Sequence, residues 1–292
     1  MVKVVVTGGA GFMGSHTADE LTRCGFEVVV FDLEISPWLQ SNQTMALGSV
    51  LDIDSLTQAM QDASYVYHYA GIADIEESRN RPLDTLNVNA LGTAMVAEAA
   101  RACKVKRIIF ASTMYVYSPF GSFYRASKQA SETILEAYQQ EYDIDFTFLR
   151  FGSLYGPRAQ DWNGLRKYVR QVVDDGRIVY QGSGDEKREY IHVADAARLS
   201  VEVLEEQYRN RAITVTGSQT LTSREMMELI FEIAGQNRKI QFADSVKKGY
   251  HYNQTPYRYT PKPASKLVPR EFIDLGQGIL ELVEELQATS KD

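Results

Sequence analysis

Two cysteines in 292 residues, Cys24 and Cys103, are too few for a disulfide framework to carry the fold. That scarcity suits a reducing compartment, and a cytoplasmic protein is the expectation. No apolar run approaches the ~20 residues needed to cross a bilayer, so no membrane partner is expected. With Val4-Val5-Val6 reading as a strand so close to Met1, no signal peptide is expected either. Positive charge is scarce too. The net charge of −7 removes the broad cationic footprint of a general nucleic-acid binder. The histidines His16, His68, His192 and His251 stand at no metal-ligand spacing with cysteine or carboxylate, and no metal is expected. His16 and His192 read as residues at helix starts, with packing or capping roles.

What remains has the balance of a soluble enzyme, 44% hydrophobic and 24% charged. The length suffices for one large domain, or a large domain with a small cap. Short β-branched runs, Val4-Val5-Val6, Val28-Val29-Val30 and Ile108-Ile109-Phe110, read as buried parallel strands. Helical stretches lie between them, clearest over 89–102 and 124–142. This alternation predicts an α/β fold, a Rossmann-type doubly wound parallel sheet with a smaller C-terminal substrate-binding domain. The boundary falls near Tyr155-Gly156-Pro157. Residues 1–155 form the first domain, 156–190 and 217–292 the cap, and 191–216 read as helix then strand and return to the sheet. Gln181 to Asp185 reads as a tight connection.

Thr7-Gly8-Gly9-Ala10-Gly11-Phe12-Met13-Gly14 follows the first strand and opens a helix. Glycines at 8, 11 and 14 permit a tight turn, a close approach of backbone to a pyrophosphate, and close helix–strand packing. The helix N-terminus then offers unpaired N–H groups and a favourable dipole to phosphate. An ordinary Gly-rich turn would carry the same glycines. The context separates the two readings, because the second strand ends in Asp32, placed to accept from a ribose 2′-hydroxyl. No Lys or Arg occurs between Arg23 and Arg79, so a 2′-phosphate would meet Asp32 and Glu34 with no nearby cation in sequence. NAD is therefore favoured over NADP. No Walker-type lysine follows the glycines, which argues against phosphoryl transfer.

Tyr124 and Lys128 are one helical turn apart on one face. A protonated lysine near a phenol stabilises the phenolate and lowers its pKa from ~10. Such a tyrosine takes a hydroxyl proton while hydride leaves the same carbon for nicotinamide. The spacing is common by chance, but here Ser112-Thr113 stands at the end of a strand, where open α/β sheets bind ligands. Thr113 is placed to hydrogen-bond the reacting hydroxyl, or else to cap a turn. Lys247 and Lys248 with Tyr250, Tyr252, Tyr257, Arg258 and Tyr259 mix cations and aromatics. Such a mix can stack bases, but in this acidic chain it reads rather as a cap loop near the nucleotide half of a substrate, or as plain surface.

Together these motifs make the chain resemble an extended short-chain dehydrogenase/reductase, in the branch of nucleoside-diphosphate-sugar epimerases and dehydratases. The resemblance also rests on His68-Tyr69-Ala70-Gly71, Glu77-Ser78 and Asn89-Ala90-Leu91-Gly92-Thr93. It continues through Leu149-Arg150-Phe151, Tyr155-Gly156-Pro157-Arg158 and Arg188 to Asp195. It implies Thr113, Tyr124 and Lys128 as catalytic residues. For NAD it implies Gly8, Gly11, Phe12, Met13, Gly14, Asp32, Leu33, Asp52, Ile53, Ala70, Gly71, Asn89, Tyr124, Lys128 and Phe151. For a nucleoside-diphosphate sugar it implies Thr113, Ser153 and Arg188, the last gripping the pyrophosphate with its fork of donors. A homodimer paired through 89–102 and 124–142 is implied as well.

Three departures bear on the reaction. The acidic pair that dehydratases of this family carry after the threonine is Met114-Tyr115 here. The asparagine that many epimerases use falls on Ser153. The loop from Thr113 to Tyr124 is short. Epimerisation at sugar carbon 4 is the leading expectation. A net 4-dehydrogenase or keto-reductase is the nearest enzymatic alternative, and a non-catalytic dinucleotide sensor comes from another class. The intact Thr113, Tyr124 and Lys128 argue against the sensor.

Overall fold

A computed structural model describes residues 1–243 together with 253, 254 and 256. His251, the aromatic and basic stretch from Lys247, and most of the cap beyond 243 lie outside the described residues. The chain runs β1 (Lys3–Thr7), α1 (Phe12–Arg23), β2 (Glu27–Asp32), β3 (Gln43–Leu47), α2 (Ile53–Met60) and β4 (Tyr65–His68). Two short helices, α3 (Ile75–Asn80) and α4 (Pro82–Thr85), lead through a π-helical turn (Leu86–Leu91) into α5 (Gly92–Ala102). Then come β5 (Arg107–Thr113), a 3₁₀ turn (Met114–Tyr117), α6 (Ser122–Tyr142), β6 (Asp145–Phe151), β7 (Ser153–Tyr155) and α7 (Gly164–Asp175). The remainder is β8 (Ile178–Gln181), β9 (Lys187–His192), α8 (Val193–Glu202), a 3₁₀ turn (Glu206–Tyr208), β10 (Arg211–Val215), β11 (Thr220–Thr222), α9 (Ser223–Ile233) and β12 (Ile240–Ala243).

Seven strands form one parallel sheet in the order β10-β6-β5-β4-β1-β2-β3. The strand order reverses between β1 and β4, the position at which such sheets open a crevice at their carboxyl ends. The period-2 geometry of strands divides the β-branched runs between two layers. Val5, Val29, Val66, Ile108 and Phe148 meet Leu56, Val96 and Leu135 on one face. Val4, Val6, Val28, Val30, Ile109 and Leu149 meet Ala18, Leu21 and Ala196 on the other. Both faces are covered, so the strands read as continuous apolar runs instead of alternating ones. The stretch 191–216 supplies α8 and then β10, which pairs with β6 at the sheet edge.

The expected helix over 89–102 starts earlier than its sequence suggests, and Asn89 falls within the π turn rather than at a helix end. Beyond the main sheet, β11-β9-β7 and β12-β8 make two small sheets. Val172, Ile178, Tyr180, Met226, Met227 and Phe231 close a separate core between α7, β8 and α9. The glycine-rich stretch after β8 turns with Gly182 at φ 155° and Gly184 at φ 88°, backbone that L side chains rarely adopt.

Candidate active site

A continuous cleft of about 1380 Å³ runs along the carboxyl ends of the central strands and on past α7, β8 and β9. It exceeds the few hundred to ~1,000 Å³ of a typical small-molecule site.

One end is built from backbone. Gly8 holds φ 70°, and a Cβ there would lie 2.5 Å from Ala70 N. A Cβ on Gly14 would come within 2.1 Å of Gly8 O, so only glycine lets α1 close on the loop after β1. Gly11 is the N-cap of α1, with no side-chain cap and no acidic residue in the first turn. The leading N–H groups of the helix are thus left for an anion, and Gly11, Phe12, Met13 and Gly14 all line the cleft. The Asp32 carboxylate accepts from Ala10 N at 2.9 Å and Leu33 N at 2.7 Å, which fixes it at the rim beside the glycine loop. Leu33, Ala70, Gly71 and Phe151 also line the cleft, as do Gly48, Ser49 and Val50, which the sequence reading missed. Asp52 and Ile53 are not among its lining residues. Asp52 caps α2 through Asp54 N, Ser55 N and the Ser55 hydroxyl, and Ile53 packs on the core. Asn89 sits behind the wall: its amide accepts from Ile72 N at 2.7 Å and donates to Ile72 O and Ser127 Oγ, each at 2.9 Å. The uncapped helix end, the glycines a Cβ would obstruct and the rim carboxylate together fit a dinucleotide.

Thr113, Tyr124 and Lys128 come together on this cleft. Thr113 is the last residue of β5, and its Oγ1 also accepts from Tyr115 N at 3.3 Å, so the capping role is present as well. Lys128 is only 5% exposed. Its Nζ donates to Ala111 O at 2.8 Å and lies 4.7 Å from the centre of the Phe110 ring. Burial draws its ammonium down to about 8, against the pull of Glu132 in the other direction. An ammonium one helical turn from a phenol is the arrangement that favours the phenolate. Behind it His68 is buried between Thr7 Oγ1 at 2.8 Å and Thr93 Oγ1 at 3.1 Å. Burial first, and Lys128 second, lower the imidazole to about 3, so it stays neutral.

The two residues after Thr113 diverge. Met114 is fully buried, whereas Tyr115 lines the cleft and meets the Tyr124 ring edge-on at 6.2 Å. The short loop reverses at Gly121, φ 99°, where a Cβ would lie 2.8 Å from the Tyr115 ring. Ser153 and Arg188 line the far part of the cleft, and Arg188 Nη1 donates to Lys187 O at 2.9 Å. Trp162, Lys167, Tyr168, Tyr180 and Tyr190 stand with them and were not singled out from the sequence. Tyr190 was within reach, because period 2 puts it on the same face of β9 as Arg188. Tyr180 is anchored by its hydroxyl to Glu186 at 2.8 Å and Ser223 at 2.9 Å. His192 is the N-cap of α8, as expected, and accepts from Ala194 N. His16 lies in the second turn of α1, not at its start, and its Nε2 meets Pro157 O at 3.0 Å.

A family model described as NAD dependent epimerase/dehydratase family matches residues 4–215. The chain belongs to this family. It is therefore an enzyme of an NAD-dependent class, and NAD is its cofactor. A UDP-glucose 4-epimerase of Bacillus subtilis is 29% identical, with 82% of this chain and 85% of that protein covered. A UDP-N-acetyl-alpha-D-glucosaminuronate decarboxylase of Bacillus cytotoxicus is 26% identical, with 82% of each covered. The solved UDP-glucose 4-epimerase of Thermus thermophilus in complex with NAD superposes with a TM-score of 0.78 at 26% identity, over 89% of this chain and 91% of that one. The family thus joins one NAD scaffold to several reactions. Among the described residues, no helix is long and apolar enough to cross a membrane.

Proposed function

We propose that this enzyme is a 4-epimerase of a nucleoside-diphosphate sugar, acting through a 4-keto intermediate. Residues 1–155 with 191–216 hold NAD. Residues 156–190 and 217–243 form the substrate cap; the remainder of the expected cap, 244–292, lies outside the described residues but for 253, 254 and 256. Gly8, Gly11, Phe12, Met13 and Gly14 seat the pyrophosphate of NAD, Asp32 its adenosine ribose, and Ala70, Gly71 and Phe151 flank the rest. NAD supplies a hydride acceptor when bound. Thr113 orients the sugar hydroxyl, the Tyr124 phenolate accepts its proton, and Lys128 keeps that phenolate charged. Arg188 and Lys167 neutralise the substrate pyrophosphate, and Ser153 borders the sugar.

The observation that carries epimerisation over dehydration is the pair after Thr113. Dehydration needs an acid for the leaving hydroxyl and a base for the proton on carbon 5. Met114 has no ionisable group and is buried, and Tyr115 is a phenol. Epimerisation needs neither, because one phenol and a returning hydride suffice. Incubation with UDP-glucose and other nucleotide sugars in deuterated water, followed by NMR, tests this. The expected product is the 4-epimer, with many turnovers and no added NADH. A 4-keto-6-deoxy sugar with solvent deuterium at carbon 5, the hydride from carbon 4 having returned to carbon 6, overturns it, and stoichiometric NADH points to the dehydrogenase instead.

The homodimer implied by the resemblance belongs to the same proposal. Leu91, Phe123 and Tyr142, 48%, 41% and 53% exposed, lie at the ends of α5 and α6, the helices that would pair. Sedimentation of Leu91→Glu against the unaltered chain tests it.

A further inference from the structure

An ion pair is buried directly beneath the catalytic residues. Glu132 and Arg150 are 4% and 9% exposed. The Arg150 fork donates to both Glu132 oxygens, at 2.9 Å from Nε and 2.7 Å from Nη2. Glu132 lies one turn beyond Lys128 on α6, and the two grip consecutive residues of β5. Lys128 Nζ donates to Ala111 O at 2.8 Å. The Ser112 hydroxyl donates to Glu132 Oε1 at 2.5 Å. Thr113 is the next residue. Arg150 stands beside Ser112 in the β5–β6 register and donates onward to the Tyr117 hydroxyl at 2.5 Å, at the end of the turn that Thr113 caps.

We propose that Glu132 is a positioning residue: its carboxylate clamps the catalytic helix to the end of β5 and so sets where Lys128, one turn away, stands. A buried ion pair is poor evidence of stability, since its desolvation roughly cancels its attraction. Placing one here has a better account in the two grips, which fix Thr113, Tyr124 and Lys128 relative to one another. The charges facing Lys128 are few. Tyr124 and Glu132 come from its own helix, and His68 from β4 is held neutral. From β5 it meets Ala111 O and the Phe110 ring, and the π turn contributes the uncharged Asn89 near Gly71. Glu132 is thus the one anion among these groups, and it opposes the burial that lowers the lysine.

The test uses the NAD-bound enzyme with ¹³Cε-labelled lysine, the Lys128 resonance being assigned by its loss in Lys128→Arg. Glu132→Gln removes the anion, so the Lys128 titration midpoint moves to lower pH, by about one unit. Because this variant leaves Arg150 buried and unpaired, Glu132→Gln combined with Arg150→Met is measured beside it. The double variant should fold, retain NAD and show a smaller shift of the same sign, because the Arg150 cation is removed together with the anion. In both, kcat falls on the order of tenfold or more, as loss of a tuned proton acceptor requires, with KM nearly unchanged. The alkaline limb of kcat moves to lower pH together with the titration. An unmoved Lys128 titration, or an unchanged kcat, in a folded double variant overturns the proposal. The kinetic arm rests on the epimerase reading. The titration needs no substrate, so failure of that reading leaves the proposal decided by the titration alone.

Discussion

The two ends of the cleft are made of different material. At the β1–α1 end a ligand would face backbone: glycines, helix N–H groups and one carboxylate held by two amides. At the α7–β9 end it would face side chains: Trp162, Lys167, Tyr168, Tyr180, Arg188 and Tyr190. A backbone surface has one shape, fixed by where β1 and α1 pack, and suits a ligand that never varies. A side-chain surface changes with single substitutions. The family accordingly shares its cofactor and spreads over several sugar reactions. The proposed catalytic residues, Thr113, Tyr124 and Lys128, line the same cleft.

That contrast makes unequal predictions, and the largest effect belongs to these residues. Tyr124→Phe keeps the ring and its edge contact with Tyr115 but removes the proton acceptor. Turnover should fall by about 10²–10⁴-fold, while NAD binding, followed by calorimetry, stays near that of the unaltered enzyme. Turnover at the original rate would move the active site elsewhere. On the backbone surface, Gly14→Ala forces a Cβ to within 2.1 Å of Gly8 O. Overpacking of this kind costs about 1–3 kcal/mol, and NAD affinity should fall as α1 withdraws from the loop. Gly164→Ala is the control from the other end, because its Cβ would meet nothing nearer than Tyr168 Cε2 at 4.0 Å. It should stay within about 0.5 kcal/mol in thermal unfolding. Equal losses in the two variants would abolish the contrast.

The backbone end was also the more legible one. Gly8, Gly11, Gly14 and Asp32 announce themselves because strand, turn and helix follow in order and the spacing itself is the chemistry. Tyr124 and Lys128 were legible for the same reason, being one turn apart. Glu132 and Arg150 were not: they belong to different elements, and nothing in a local pattern pairs a helical glutamate with a strand arginine. A signal was present even so, since Arg150 stands between the apolar Phe148-Leu149 and Phe151 of a strand, where an unpaired charge would be costly. The π turn at Asn89 was invisible, because one extra residue in a helical ladder leaves the composition unchanged. Asp52 was placed among the cofactor contacts by resemblance, and here its carboxylate is taken up in capping α2. The aromatic side of the cleft went unread because its residues lie on α7, the loop before it, β8 and β9, and converge only in three dimensions.

At the side-chain end, Arg188→Ala should weaken nucleotide-sugar affinity about tenfold or more. A hydrogen bond to a charged group is worth roughly 1.5–3 kcal/mol net, and ~1.4 kcal/mol is one decade. NAD affinity should not change. Calorimetry with UDP-glucose and with NAD separates the two ends, and a loss confined to NAD would reverse the assignment.

The smallest expected effect concerns the choice of cofactor, and it asks whether one side chain can retune a backbone surface. Asp32 repels a 2′-phosphate and offers a ribose hydroxyl a charged acceptor. Arg79 and Arg81 also line this cleft. Arg81 is already engaged by Glu77 at 2.8 Å and Asp84 at 2.9 Å, which limits what it can offer a phosphate. Replacing Asp32 by alanine would also strip Ala10 N and Leu33 N of their acceptor, confusing loop disorder with electrostatics. Asp32→Asn keeps the shape and one carbonyl acceptor while removing the charge. It should weaken NAD binding modestly and narrow the preference over NADP by about tenfold or less, ~1.4 kcal/mol. The gap should narrow without reversing, because removing a repulsion supplies no cation for the phosphate. Titration of both cofactors into both proteins decides it. Tighter binding of NADP by the unaltered enzyme would show that a cation reaches the ribose from elsewhere in the fold, and that Asp32 is there to hold the glycine loop.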